Sequence, residues 1–124
     1  MANPVSTLNQ TLLAAAAHGA GITRGADLGL STKFEAQLQV EVQFGGTITA
    51  DPIVNVYRYV EALGTDADTI AVYSFSIARS AGATKRASFT LPTGLWRIEI
   101  VNADGANGLT STSILYATVD SVSF

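Results

Sequence analysis

The sequence predicts an all-β fold: an antiparallel β-sandwich of jelly-roll type, with about eight strands and an extended N-terminal arm. The first observation is the stretch FEAQLQVEVQF, residues 34–44, in which apolar and polar side chains alternate without a break. The second is that turn-forming residues recur at intervals of roughly 8–14 residues, a spacing expected of a sandwich or barrel. The third is that no stretch has room for a helix of ordinary length. With 124 residues, the chain is the size of one domain.

Residues 1–20 are predicted to form an N-terminal arm or edge strand, and residues 21–124 the single sandwich domain. Residues 12–17 could also form a helical turn, since alanine is the best helix former. Gly19 and Gly21 would end such a helix very early, so a strand or extended arm is favoured. No Lys or Arg precedes the apolar run, and the run is too short to cross a bilayer, so we expect neither a signal peptide nor a membrane span.

Strand patterns then follow one another along the chain. The longest covers residues 33–44 and runs into the turn signal Gly45-Gly46, and the next, residues 53–60, follows a proline that enforces extended geometry. In this second strand, Tyr57 and Tyr59 lie on one face and the valines lie mainly on the other. The remaining predicted strands cover residues 22–30, 70–79, 87–91, 95–102 and 113–124.

The composition limits the classes of function. Hydrophobic residues make up 48% of the chain and charged residues 14%, which argues against disorder and hints that a partner covers part of the surface. The net charge of -3 does not favour binding to a polyanion, so nucleic-acid binding is not expected. The absence of cysteine excludes a disulfide framework and a thiolate zinc site, and is compatible with assembly in a reducing cytosol.

No catalytic residue and no cofactor site are predicted, so the protein is not expected to be an enzyme. His18 is the only histidine, and it lies in an alanine- and glycine-rich segment where we expect it to be partly exposed. No serine has the glycine-flanked surroundings of a hydrolase nucleophile. The sequence therefore offers no recognisable pair of a catalytic nucleophile and its general base.

Two loops are rich in acidic or amide side chains, whose oxygens can bind metal ions. Asp66 and Asp68, with Glu61 nearby, have the alternate spacing that calcium favours, but the full calcium-loop pattern is absent, so a solvated loop is preferred. The second loop has turn chemistry that accounts for its residues fully, because Asn and Asp bond to their own backbone. Its members are Asn102, Asp104 and Asn107. No metal site is predicted.

Aromatic and basic residues give two further candidates. Tyr57, Tyr59 and Trp96 could stack on a sugar, but Trp96 alternates with apolar residues and is expected in the core. The strand that carries Tyr57 and Tyr59 has two apolar faces, so it is either central in the sandwich or covered by a neighbouring subunit. Lys85 and Arg86 point to opposite faces of their strand, so they do not form one basic patch.

The run DLGLSTKFEAQLQVEVQFGGT followed by PIVNVYRYV resembles small virion proteins of tailed bacteriophages. The matching positions are residues 13–17 loosely, Arg24, Asp27-Leu28, residues 31–34 and Val54-x-Val56. The resemblance covers the first half of the chain and then the strand order of the second half. It departs at Gly29-Leu30, which separates Asp27-Leu28 from the residues that follow in the family pattern.

The resemblance implies a capsid decoration, or cement, protein in the virion, assembled in the host cytoplasm. The implied partners are the major capsid protein or other virion proteins and further copies of this chain, with no nucleic acid or membrane. Related sandwiches also occur in necks, tails and fibres. The alternative is a carbohydrate-binding β-sandwich module that uses Tyr57, Tyr59, Asp66 or Asp68. The candidate interface residues are Leu12, Leu13, Ala16, Ile22, Tyr57 and Tyr59.

Overall fold

A computed structural model describes residues 6–30, 35–58 and 70–119. Within these ranges the chain forms eight strands and no helix, and hence no helix that could cross a membrane. The strands are β1 (Ser6–His18), β2 (Thr23–Gly29), β3 (Glu35–Gln43), β4 (Ile53–Arg58), β5 (Tyr73–Ser76), β6 (Thr84–Pro92), β7 (Leu95–Val101) and β8 (Leu109–Val119).

The strands form two four-stranded antiparallel sheets. Sheet A has the order β1-β8-β3-β6, and sheet B has the order β2-β7-β4-β5. The chain passes from one sheet to the other at every connection except that between β4 and β5. This is the order of a jelly roll. The predicted fold class is confirmed.

The core lies between the sheets and follows the predicted alternation. In β3, Leu38, Val40 and Val42 are buried, and in β7 Ile98 and Ile100 are completely buried. Each such side chain contributes about 1.5–3 kcal/mol when it is removed from water. Period-two alternation in the sequence therefore identified the inward-facing side chains of β3 and β7.

Trp96 is buried, as its alternation with apolar residues indicated. Its indole Nε1–H donates to the Pro92 carbonyl oxygen at 3.0 Å, which satisfies its one polar atom. The turn between these residues carries the chain from β6 in sheet A to β7 in sheet B. Gly94 has a φ of 143° there, a conformation that residues with a side chain rarely adopt.

Several strand boundaries differ from the expected ones. The predicted strand over residues 70–79 is reduced to the four residues of β5, and the last strand begins at Leu109 rather than at residue 113. Phe75 packs against the core and Ile77 is buried, whereas Tyr73, on the same face, is 49% exposed. Tyr73 begins an edge strand, where burial from one side is incomplete.

The N-terminal segment is part of the sandwich. Residues 6–18 form a strand of 13 residues along β8, where a helical turn was the alternative. Leu12 and Leu13 pack against the core, so this segment contributes apolar side chains to the sandwich. Deleting residues 1–20 would uncover β8, which argues against a soluble fold surviving that deletion.

Candidate functional site

A polar network joins three strands at the corner where β1 turns into β2. His18, at the end of β1, is completely buried, so the expectation of a partly exposed histidine is wrong. Its Nδ1 lies 3.0 Å from the Thr112 hydroxyl of β8, and its Nε2 bonds to the carbonyl oxygen of Ile22. A carbonyl can only accept, so Nε2 carries a hydrogen, and in the neutral ring Nδ1 accepts from the hydroxyl.

Arg24 completes this network from β2. It pairs in register with the buried Ile100, which places it on the inner face of sheet B, directed at sheet A. Its Nη1 donates to the hydroxyl of Thr112 at 2.9 Å and to the carbonyl oxygen of the same residue at 2.7 Å. It also donates to the carbonyl oxygens of Ala14 at 2.8 Å and Ala16 at 3.3 Å. One guanidinium therefore holds the two sheets together at their shared edge.

Burial of His18 lowers the pKa of its imidazole below the usual 6.5, and the neighbouring positive charge of Arg24 lowers it further, although the bond to Ile22 acts in the opposite direction. The lowered pKa favours the neutral ring, in which Nε2 donates to Ile22 and Nδ1 accepts from Thr112. With both nitrogens engaged inside the fold, His18 is a structural residue. Sequence reasoning missed this role because its partner Thr112 is 94 residues away.

The outside of the same corner is a strip of small apolar side chains, which we call the alanine edge. Four consecutive alanines of β1 are exposed, because bulges in the β1–β8 pairing interrupt the alternation of the strand. Ile22, in the turn that follows, is 51% exposed. The alanine edge comprises Ala14, Ala15, Ala16, Ala17 and Ile22.

The alanine edge carries no charge. The sequence has no Asp, Glu, Lys or Arg before Arg24, and the Arg24 guanidinium is directed inward onto backbone carbonyls. Ion pairs of the described surface lie elsewhere. They include Arg86 with Glu41 on sheet A, Arg97 with Glu99 on sheet B, and Arg79 with Asp51.

The predicted interface residues divide into three groups. Ala16 and Ile22 are exposed and belong to the alanine edge. Leu12 and Leu13 are half-buried and directed at the protein's own core. Tyr57 is half-buried in β4 beside Arg97, on the outer face of sheet B and away from the other four. Tyr59 lies outside the described residues.

The Asx cluster after β7 does more than local turn chemistry. The Asp104 carboxylate accepts from the backbone N–H groups of Ala106 and Asn107, as a turn would require. It also accepts from the backbone N–H of Thr49 at 2.7 Å and from the hydroxyl of the same residue at 2.9 Å. Asn102 is buried and donates to the carbonyl oxygens of Gly19 and Asn107.

These bonds, the one from the backbone of Thr49 first, hold the pKa of Asp104 well below its usual value of 3.8. The loop thus ties the β3–β4 connection and the β1–β2 turn to the end of β7. The expectation that turn chemistry accounts for the cluster fully is wrong, because the Asn102 amide bonds to Gly19, 83 residues away, and Asp104 bonds to Thr49, 55 residues away.

Among the described residues, no three acidic or histidine side chains are placed to hold a metal ion. The loop whose acidic spacing resembles a calcium site lies outside the described residues. It contains Glu61, Asp66 and Asp68.

No family model and no curated protein matches this chain. Solved structures do. A Bacillus protein from a study titled "Bacillus endospore appendages form a novel family of disulfide-linked pili" has a TM-score of 0.55 at 17% identity, with 98% of this chain and 93% of that chain covered.

Two others are more distant. A family 35 carbohydrate-binding module from an environmental isolate has a TM-score of 0.45 at 16% identity, covering 78% of this chain and 67% of that one. The Yersinia pseudotuberculosis-derived mitogen has a TM-score of 0.42 at 11% identity, covering 100% and 90%. At these identities the appendage protein supports the fold alone: this chain is an antiparallel β-sandwich, with eight strands among the described residues.

Proposed function

We propose that this protein is a non-enzymatic structural protein that works in many copies, and that it is a phage virion protein decorating the capsid as a cement. Its partners would be the major capsid protein and further copies of itself. The observation that carries this proposal is the alanine edge: a strand edge without charge, beside a corner whose one cation is turned inward. The resemblance of residues 27–47 and 52–60 to small phage virion proteins supports the same reading.

The alanine edge suits packing against a neighbour better than pairing with its strand. Arg24 already occupies the carbonyl oxygens of Ala14 and Ala16, which limits the addition of another strand there. The exposed alanine methyl groups instead allow a neighbouring surface to approach closely without desolvating a charge. Each Å² of apolar area removed from water contributes about 25 cal/mol. Because a shell presents many identical sites, modest individual contacts add up through avidity.

A fibre or appendage subunit is the alternative within the same class. The similar Bacillus protein comes from pili described as disulfide-linked. This chain has no cysteine, so a fibre built from it would be joined by non-covalent contacts. The proposal that the protein is not an enzyme is supported by His18, whose two ring nitrogens are both engaged within the fold.

The test compares two charged substitutions at exposed edge positions of sheet A, Ala15→Glu in β1 and the control Thr84→Glu in β6. We expect the wild-type chain to self-associate, or to co-sediment with empty phage capsids. Ala15→Glu should weaken the association at least about tenfold, equivalent to about 1.4 kcal/mol. The control should associate like the wild type.

Light scattering across a concentration series and sedimentation with capsids measure the two associations, and thermal unfolding verifies that both variants fold. A wild-type protein that stays monomeric and also leaves capsids bare would overturn the proposal. Equal weakening by both substitutions would show that the alanine edge is not the contact surface.

A further inference from the structure

A cleft of about 480 Å³ lies on sheet A, formed by residues 37–39 of β3, 88–90 of β6 and 115–117 of β8. In each triplet the middle residue belongs to the inner face: Leu38 is buried, and Phe89 and Tyr116 pack against the core. The flanking residues therefore point away from the core. No residue of sheet B lines the cleft, so it opens on the outer face of sheet A.

The outward side chains that β3 and β6 contribute to the cleft are polar but uncharged. Gln37 and Gln39 contribute amides, which both donate and accept, and β6 contributes the hydroxyls of Ser88 and Thr90. Leu115 and Ala117 of β8 form an apolar strip beside them.

Charged groups lie outside the cleft. Glu41 and Arg86 occupy the next outward-facing pair of β3 and β6, two residues beyond Gln39 and Ser88. Their side chains are bonded to each other at 2.8 Å, so each neutralises the other. The lining has no charged side chain that would pair with a phosphate, a carboxylate or a cation.

We propose that this cleft binds a segment of neutral oligosaccharide. Amides and hydroxyls together match the mixed donors and acceptors of sugar hydroxyls, and the apolar strip of Leu115 and Ala117 matches the C–H face of a pyranose ring. The volume lies within the range of small-ligand sites, roughly 300–1,000 Å³.

An extended peptide fits less well, because it is recognised through main-chain bonds to a free strand edge. The cleft lies across the faces of β8, β3 and β6, whose facing backbone groups already pair with one another. This surface is separate from the alanine edge, so the two proposals are independent. The rigid sheet places the side chains in advance of binding.

The site differs from the saccharide site expected from the sequence. That expectation named Tyr57, Tyr59, Asp66 and Asp68. Tyr57 lies in β4 of the other sheet, and the other three lie outside the described residues. The cleft has no outward aromatic ring among its lining residues, so recognition here depends on hydrogen bonds and on the aliphatic strip.

The experiment titrates the ¹⁵N-labelled full chain with four neutral hexasaccharides (maltohexaose, cellohexaose, xylohexaose and chitohexaose) and with an acidic oligogalacturonate. Concentrations extend to about 10 mM, at which a site with a Kd of about 1 mM is nearly saturated. We expect at least one neutral sugar to shift the amide signals of residues 37–39, 88–90 and 115–117, and the acidic sugar to leave them unchanged.

The variant Gln39→Ala should weaken binding about fivefold, equivalent to about 1 kcal/mol for one hydrogen bond. The matched control is Gln43→Ala, on the same strand and face but outside the cleft, and it should bind like the wild type. The proposal is overturned if none of the four neutral sugars shifts these signals, if the shifts map to sheet B, if oligogalacturonate binds as tightly, or if both variants lose affinity equally.

Discussion

Replacing Thr112 by valine would remove one hydroxyl group from the point where β1, β2 and β8 meet. That hydroxyl accepts from Arg24 at 2.9 Å and pairs with His18 at 3.0 Å. Valine has nearly the same shape, so the packing of this completely buried position is retained. Arg24 would keep its bonds to backbone carbonyls, but Nδ1 of His18 would lose its donor in a place that water does not reach.

A buried acceptor left without a partner costs about 1–3 kcal/mol. Unfolding entropy is about 2.1 cal/mol/K per residue, so for a chain of this length 1 kcal/mol corresponds to about 4 °C in Tm. We therefore expect Thr112→Val to lower Tm by about 4–12 °C. Differential scanning calorimetry at about pH 7.5, where histidine is neutral, measures this change.

The control is Thr112→Ser, which keeps the hydroxyl and removes the methyl group. Its expected cost is about 1 kcal/mol for the lost apolar contact, so its Tm should lie above that of the valine variant. If the serine variant is the less stable of the two, methyl packing rather than the hydrogen-bond network dominates at this corner, and the reasoning fails.

Two further outcomes are expected. The pKa of His18 is lowered in the folded state, so the unfolded chain takes up a proton first as the pH falls below about 6.5. The free energy of unfolding, measured in urea, should therefore decrease from there towards about pH 5. The decrease should be at most about 1.4 kcal/mol per pH unit. His18→Gln should lack this slope, and a wild-type protein with constant stability across the interval would contradict the account. Gly94→Ala should cost about 1–3 kcal/mol in thermal unfolding, since φ is 143° and the new Cβ would lie 3.3 Å from Nε1 of Trp96. The control is Gly46→Ala, which should leave Tm nearly unchanged because the new Cβ has no atom within 4 Å and the φ of Gly46 is not positive. An equal loss of stability in both variants would rule out backbone strain at Gly94 as the cause.

Local periodicity predicted the parts of the fold that local geometry determines. The alternation in β3 and β7 identified which side chains enter the core, because side chains of a strand point to opposite faces whatever its neighbours are. Strand ends were less certain. The stretch before β5 keeps an apolar sequence, yet Ile70 is 81% exposed and the strand begins three residues later. Burial there depends on which element covers the strand, and the sequence does not show that.

The corner network could not be predicted from the sequence. His18 stands among alanines and glycines, a composition that indicates exposure, and it is buried because Thr112 and Arg24 arrive from two other strands. The Asp104 loop was half predictable. Its bonds to the backbone two and three residues ahead follow from turn chemistry, whereas its bonds to Thr49 depend on the packing of a distant connection.

The position of β8 has a consequence for the order of events during synthesis. β8 is the last of the described strands, yet it lies between β1 and β3, so sheet A has no continuous hydrogen-bonded ladder until residues 109–119 have been made. Until then the first strand has no neighbour in its sheet, and the Arg24 and His18 bonds to Thr112 cannot form. Sheet A is therefore completed only when β1 pairs with β8, two strands far apart in the sequence, and such long-range pairing is slow. A copy truncated before β8 would never display a finished alanine edge, so incomplete chains could not make a contact that depends on this edge.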